Sequence, residues 1–371
     1  MASLRGFLRH PVGYGLELVR TLRLLADPPA PDLPARAPRK PRRQQFRELL
    51  TWKMTHGDSG EDFFRHGLHL EGSEPAAGFM PVFQFMAQRD RANGRMSSAP
   101  EAFDYAALVG DKFLFGLFGR ALGFPVPRPL ALLGPDQVTR LDGEAEVQPL
   151  EELLTPPSGS VDGFCKPVVG GKGRSVFPLE VRNGELRVAG ESVGLDAFRA
   201  TLSGHFLLEE RVQQHPVMAR LHPPSVNTLR LVTVRSSGRI EAFSAILRTG
   251  AGGCRVDNLA LGGWAAPVDL VSGTVSGQAH SRNEGLVASH HPDTGIAFEG
   301  FQVPMMGDVV ALVVRMHRFL YGFHSLGWDV ALTPEGPVVI EANDQWGGRT
   351  MMLMDPTLGG RFRASLADRE G

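Results

Sequence analysis

The stretch GWDVALTPEGPVVIEAND, residues 327–344, constrains this chain more than any other. Two apolar runs, WDVAL and PVVIEA, flank the turn-forming TPEG, and the pattern reads as a β-hairpin. Three polar residues interrupt it: Asp329, Glu341 and Asn343. A three-residue loop, Pro334-Glu335-Gly336, sets Asp329 directly across from Glu341. Glu341 and Asn343 lie two apart on one strand and so share a face. Two carboxylates and an amide therefore converge at one end of a hydrophobic hairpin. Burying two carboxylates together is costly unless a cation pairs with them. Hard oxygen ligands in small number, with room for water and phosphate oxygens, suit Mg²⁺. A half-exposed strand with its acids facing water fits the same residues, although Val338, Val339 and Ile340 weigh against it.

Phosphate-type residues lie far upstream. FCKPVVGGKGRSVF holds Lys166 at a strand end, followed by Gly170, Gly171 and Gly173. Glycines let backbone N–H groups approach an anion, and Lys166 can add a point charge. The GxxxxGK[ST] spacing of a P-loop is absent, and the chain continues as a returning strand, so the segment reads as a hairpin-like flap over phosphate. An ordinary glycine-rich hairpin fits it too. Further on, HFLLEERV is an apolar strand that stops at Glu209 and Glu210. The backbone at such a strand end can read adenine, and a strand ending in solvated acids is an equally good reading.

Length and composition set the frame. With 371 residues the chain can build two or three lobes. A formal net charge of -1 gives no polyelectrolyte character that would argue for nucleic acid. Cys165 and Cys254 are the two cysteines, too few for a disulfide framework, which points to a reducing, cytoplasmic setting. No apolar run approaches the roughly 20 residues of a membrane span, and the N-terminus lacks a secretory apolar core. The first 50 residues carry ten Arg or Lys against four Asp or Glu. There, LRGFLRHPVGYGLELVRTLRLL is a basic amphipathic pattern broken by Pro11 and glycines, and DPPAPDLPARAPRKPRR is a Pro-rich linker. The segment reads either as a weak membrane-surface contact or as a solvated extension packed on the body.

The remaining order mixes helices with antiparallel strands. FDYAALVGDKFLFGLFGRALGF has helical periodicity, three long strands run through VNTLRLVTVRS, RIEAFSAILRTG and WAAPVDLVSG, and MGDVVALVVRMHRFLYGF is a helix before the hairpin. This order predicts an α+β fold. Arg248, Arg255, Asp257 and Asn258 fall on or near the strands of an acceptor side, and Arg349 follows the metal strand. Arginine pairs bidentately with carboxylate or phosphate, so an anionic substrate group suits them; surface salt bridges suit them as well. His280, His290 and His291 do not read as a zinc site, because adjacent histidines on extended chain point opposite ways and no cysteine accompanies them. Cys165 reads as a small apolar core residue.

Taken together and in order, these stretches resemble the ATP-grasp superfamily. The likeness runs from DKFLFGLFGRALGFPVPRP through FCKPVVGGKGRSV, LLEERV and NTLRLVTV to GWDVALTPEGPVVIEAN, about residues 101–360. QHPVMARLHPPSVNTLRLVTV, DNLALGGWAAPVDLVSGTV and HHPDTG resemble more narrowly its sugar-transfer-associated group, which is tied to cell-surface polysaccharide or related biosynthesis. The resemblance implies two α+β lobes clamping ATP. Residues 1–100 form a helical and Pro-rich N-terminal region and 101–371 the catalytic region, with a glycine-flap lobe at 160–212 and a metal and acceptor lobe at 213–371. It also implies roles. Lys112 and Lys166 contact ATP phosphates under a flap of Gly170, Gly171 and Gly173. Glu209 faces the adenine amino group, with the backbone of Glu210 to Val212 at the hinge. Arg230 meets the transferred phosphate. Asp329, Glu341 and Asn343 hold one or two Mg²⁺ ions. Relatives place a ribose-binding acid past the hinge; here QQHPVM stands instead, leaving His215 or Gln214 for that task.

The implied activity is an ADP-forming carboxylate–amine ligase acting on a small-molecule carboxylate and nucleophile. The alternatives are phosphotransfer to a sugar or polyol, and a non-catalytic nucleotide-binding subunit.

Overall fold

The computed structural model describes residues 11–29, 37–57, 59–75, 79–97, 105–141, 145–170, 175–281 and 286–367. Two antiparallel sheets organise it. The first comprises β1 (Pro129–Leu133), β2 (Gln137–Arg140), β3 (Glu146–Pro149), β4 (Ser160–Pro167), β5 (Phe177–Arg182), β6 (Glu185–Val188), β7 (Glu191–Ser192) and β8 (Phe206–Glu210). Their spatial order is β3-β2-β1-β8-β4-β5-β6-β7. The sheet thus draws in residues 129–149, upstream of the expected start of this lobe at 160. Leu133, Val138, Leu179, Phe206 and Leu208 bury one face of it against Phe198 of the Leu195–Thr201 helix.

The second sheet comprises β9 (Thr228–Ser236), β10 (Arg239–Thr249), β11 (Trp264–Pro267), β12 (Ala279–Ser281), β13 (Val287–Ala288), β14 (Ser325–Thr333) and β15 (Gly336–Asn343). They are ordered β13-β12-β11-β10-β9-β14-β15. The pleat divides this sheet cleanly, since alternate residues face opposite sides. Leu229, Leu231, Trp328, Val330 and Val339 pack beneath Val309, Val313 and Met316 of the Met306–Phe319 helix. On the other face, Val232, Val234 and Ile246 lie under Phe85, Trp346, Met351 and Phe362. That cover spans only part of the face. Thr228, Arg230, Arg248 and Asp329 continue the same face beyond it.

Three expected elements differ in extent. The helix expected through FDYAALVGDKFLFGLFGRALGF is broken at Asp111 into Ala107–Gly110 and Lys112–Ala121. Asp111 is extended and caps the second helix, accepting from the N–H groups of Phe113 and Leu114 at 2.9 Å each. The strand expected through WAAPVDLVSG stops at Pro267, and one further bond, from Val268 N to Ala245 O at 3.0 Å, ties the chain to β10. The Asp269 carboxylate then accepts from Val271 and Ser272 and turns the chain. Near the N-terminus, Pro11–Ala26 is helical and runs on through Gly13 and Gly15; the residues before Pro11 lie outside those described. Residues 30–36 of the Pro-rich linker lie outside the described residues. Among those described, no helix is long and apolar enough to cross a membrane.

Candidate active site

The hairpin of residues 325–343 reaches the expected pairing by an unexpected route. Its loop is two residues, Pro334 and Glu335, not three: Thr333 pairs with Gly336. The Thr333 hydroxyl closes this turn, accepting from Glu335 N at 3.2 Å and donating to Gly336 O at 2.9 Å. Gly336 sits at φ 141°, which a β-carbon would oppose. A one-residue bulge at Ile340 then shifts the register, so that Val339 opposes Val330 while Glu341 opposes Asp329. The bulge changes the phase of the pleat. Val339 is thereby delivered to the core, and Glu341, two residues on, to the opposite face.

Strand pairing extends this into a row. Arg230 of β9 lies directly opposite Asp329, and Asp329 directly opposite Glu341. Arg230 binds Asp329 bidentately, with Nη2 2.8 Å from Oδ2. Arg248 on β10 donates from Nη1 to both Asp329 oxygens at 3.1 Å and from Nη2 to Asp257 at 3.0 Å. Asp257 also accepts from the backbone N–H and the hydroxyl of Thr228. Asn343 donates to Glu341 at 3.2 Å. Gly327, next in the row, leaves room for Trp346, whose side chain a β-carbon there would strike at 2.4 Å.

Electrostatics separate the two acids. Burial pushes the Asp329 carboxyl up, but Arg230 and Arg248 outweigh burial and hold it well below the usual range. Burial pushes Glu341 up as well, and the adjacent Asp329 adds to that; Arg230 and Lys112 only partly offset it. Arg248 keeps its charge in spite of burial because Asp257 and Asp329 flank it.

The first lobe brings its own charged group to the same place. Lys166, near the end of β4, forms an ion pair with Glu209 of β8 at 2.5 Å, and both side chains are buried. Burial raises the Glu209 pKa against the pull of Lys166 and Lys112. Lys112 opens its helix beside the glycine loop. Its backbone N–H donates to Val168 O at 3.0 Å, and its ammonium donates to Gly170 O. Burial lowers the Lys112 pKa, while Glu341 is the chief group holding it up. Lys112 thus lies within electrostatic reach of both Glu209 and Glu341, and the two lobes face each other across it.

The structure therefore gathers Lys112, Lys166, Gly170, Glu209, Arg230, Arg248, Asp329, Glu341 and Asn343. Gly170 sits at φ 118°, as a flap glycine can; Gly171 and Gly173 lie outside the described residues. Glu210 is exposed and pairs with Arg128 at 3.1 Å, and Val212 is half-buried in the segment after β8. Other expected residues are engaged differently. Gln214 bridges Ser225 O and Asn227 N, and His215 caps the Pro216–Ala219 turn by accepting from Val217 N, so both are engaged with the local backbone. Asn258 caps the Leu259–Leu261 turn through Ala260 N. Arg255 is exposed beside Gly190 of the first lobe. Arg349 pairs with Asp62 of the N-terminal helical region at 3.4 Å.

Sequence reasoning passed over Thr228, the double tether of Asp257, and Trp346, which covers Gly327. It also missed that Glu209 is the partner of Lys166. Register would have revealed the first, since Thr228 lies directly opposite Arg248.

Oxygen donors for a hard cation are present at Glu341 and Asn343, and among the described residues neither accepts a bond from a lysine or arginine. Among those residues there is also no cluster of three or more His, Cys, Asp or Glu side chains suited to a metal.

Comparison with known proteins adds a family. No curated protein sequence matches the chain. Among solved structures, the L-amino acid ligase from Bacillus licheniformis is 12% identical, with 78% of this chain and 61% of that one covered and a TM-score of 0.43. D-alanine–D-alanine ligase from Bacillus anthracis is 11% identical, with 72% and 71% covered and a TM-score of 0.36. N5-carboxyaminoimidazole ribonucleotide synthetase from Thermotoga maritima is 14% identical, with a TM-score of 0.33; the match covers 64% of this chain and only 42% of that one. Such loose superpositions carry no argument about chemistry. Residues 97–364, well over half of the chain, match the sequence family sugar-transfer associated ATP-grasp. With its two antiparallel sheets meeting at a charged cleft, the chain belongs to the sugar-transfer associated ATP-grasp family.

Proposed function

We propose that this chain is an ATP- and Mg²⁺-dependent ligase. ATP phosphorylates a carboxylate to an acyl-phosphate, an amine displaces the phosphate, and ADP and phosphate leave. The observation that carries this reading is the meeting of Lys166 and Glu209 from one lobe with Lys112, Arg230, Asp329 and Glu341 from the other, whose core takes in Phe115 of the Lys112 helix. Phosphoryl transfer requires mainly positioning and charge neutralisation, which such a set supplies with little covalent chemistry of its own.

Each residue has a role in this proposal. Lys112 and Lys166 hold phosphate oxygens beneath the loop of Gly170. Glu209 anchors Lys166 by a buried ion pair, and the strand end at Glu210 to Val212 lines the base. Arg230 faces the transferred phosphoryl group. Arg248, fixed at both ends by Asp329 and Asp257, offers a rigid charge at the acceptor side. Glu341, Asn343 and Asp329 are the residues that would hold Mg²⁺; the crowding of Glu341 against Asp329 is the kind of imbalance a divalent cation relieves. When bound, the ion supplies charge neutralisation between the phosphate groups. The site set also argues for an active enzyme over a non-catalytic nucleotide-binding subunit. The family's description supports a place in sugar-transfer chemistry, and we include a cytoplasmic role in polysaccharide or related biosynthesis in the proposal.

The test is a screen of carboxylates and amines that follows ADP and phosphate. Phosphate release dependent on both components supports the ligase. AMP and pyrophosphate exclude it, and ADP with a phosphorylated sugar or polyol indicates a phosphotransferase instead.

A further inference from the structure

Asp329 accepts two bonds from Arg230 and two from Arg248. A carboxylate offers about four lone-pair directions, so this carboxylate is fully subscribed. A cation that takes Asp329 as a ligand must therefore displace an arginine. The two arginines are not equivalent. Arg248 is anchored at its other end by Asp257, and Asp257 is tied in turn to the backbone N–H and hydroxyl of Thr228. Arg230 has Asp329 as its one hydrogen-bonding partner among the described residues. It is also the arginine directly opposite Asp329 in the strand register, beside Glu341. Arg230 is therefore the one whose departure gives up a single partner.

We propose that Arg230 and a divalent cation exchange on Asp329. Without the cation, the Arg230 guanidinium offsets the charge of Asp329 and Glu341. As the cation enters, Arg230 turns off the carboxylate and becomes available to an anionic substrate group. Arg248 stays in place and keeps Asp329 oriented throughout. Metal occupancy and anion capture are in this way one event, and the site does not present a free guanidinium before the cation has arrived. This inference rests on the reading that Asp329 and Glu341 take a divalent cation. It goes beyond that reading in assigning Arg230 two alternating partners. By linkage, whatever weakens the Arg230–Asp329 pair must tighten the cation, and whatever strengthens it must weaken the cation.

The experiment measures binding of Mn²⁺ alone, followed by the electron paramagnetic resonance signal of the free ion, to the full-length wild type, Arg230→Gln, Arg230→Lys and Glu341→Gln. Releasing a bidentate charge-assisted pair should tighten Mn²⁺ by roughly tenfold or more in Arg230→Gln. Arg230→Lys separates exchange from a general change in field. Lysine keeps the positive charge but, as a point charge, cannot grip both oxygens. Exchange predicts that Arg230→Lys retains most of the tightening; a field effect alone predicts wild-type affinity, and that result overturns the proposal. Equal Mn²⁺ affinity in all three residue-230 proteins, together with loss of binding in Glu341→Gln, overturns the exchange while leaving the cation site intact. No Mn²⁺ binding by any of them, with or without ATP, removes the cation site and the exchange together. Thermal melts establish that each variant is folded, and Arg230→Lys alone decides the matter if Arg230→Gln does not fold.

Discussion

Arg248 is where the account is most exposed to a simple stability measurement. Its guanidinium donates three charge-assisted bonds, at 3.1, 3.1 and 3.0 Å, to two carboxylates whose side chains are 9% and 12% exposed. Arg248→Met keeps the apolar stem and removes the charge. Three such bonds at about 1.5–3 kcal/mol each set an upper bound of roughly 4.5–9 kcal/mol. The loss is smaller, because Asp329 keeps Arg230 and Asp257 keeps the two Thr228 donors. Breaking a buried ion pair from one side costs about 3–5 kcal/mol, which is the expected range here. The two carboxylates of the hairpin would then face each other with Arg230 as their main offset. Glu341→Gln should therefore be more favourable in the Arg248→Met background than in the wild type, by about 1 kcal/mol in a double-mutant cycle. Urea unfolding of the four proteins, in buffer with a chelator, gives all the terms. A loss under about 1 kcal/mol for Arg248→Met, or strict additivity with Glu341→Gln, would refute the reasoning.

Other outcomes follow from the same geometry. Glu341→Gln should leave the fold intact and abolish ADP release, since an amide keeps the volume but not the charge. The folded-state pKa of Glu341 is raised above its ordinary 4.5, so its stabilising contribution is complete below 4.5 and is lost as pH rises through the raised value; chelated Glu341→Gln should be the more stable protein at pH 7 and lack that dependence in chemical unfolding across pH 4–7. His317 is the opposite case. Burial, not fully countered by its bond to Phe323 O, lowers it to about 3, so its contribution is present above 6.5 and falls toward pH 3 by at most about 1.4 kcal/mol per pH unit; His317→Gln should flatten that slope. Lys166→Met leaves Glu209 buried without its cation and should cost about 3–5 kcal/mol, with Lys166→Met/Glu209→Gln recovering most of it in thermal or urea unfolding.

Local signals made parts of this protein legible and left others hidden. The hairpin was readable because alternating apolar residues and TPEG fix a strand, a turn and a strand, and the meeting of Asp329 with Glu341 followed from counting. The count itself missed the turn: the loop is one residue shorter, and the bulge at Ile340 restores the pairing. A bulge has no reliable local signature. It is selected here by the need to send Val339 to the core and Glu341 to the site, which is a tertiary demand. The break at Asp111 was visible as a cap residue after glycine but was overridden by the longer helical periodicity. The two arginines on Asp329 come from β9 and β10, about 80 to 100 residues away, and only sheet register brings them there. Arg255, Asn258 and Arg349 read as candidates from residue type and from their place near the acceptor and metal strands, and neither says which way a side chain is drawn. Asp62, which holds Arg349, lies in a region whose sequence gave no sign of contact with the C-terminal helices.

Titration calorimetry of ATP with excess Mg²⁺ tests the central claim most directly, because it asks whether the meeting of the two lobes is a nucleotide site at all. The account predicts saturable binding to the wild type and binding weakened by tenfold or more in Glu341→Gln, a substitution distant in sequence from Lys112 and Lys166 but within electrostatic reach of Lys112. An absence of binding heat at any Mg²⁺ concentration, or identical affinity in the wild type and Glu341→Gln, would contradict it.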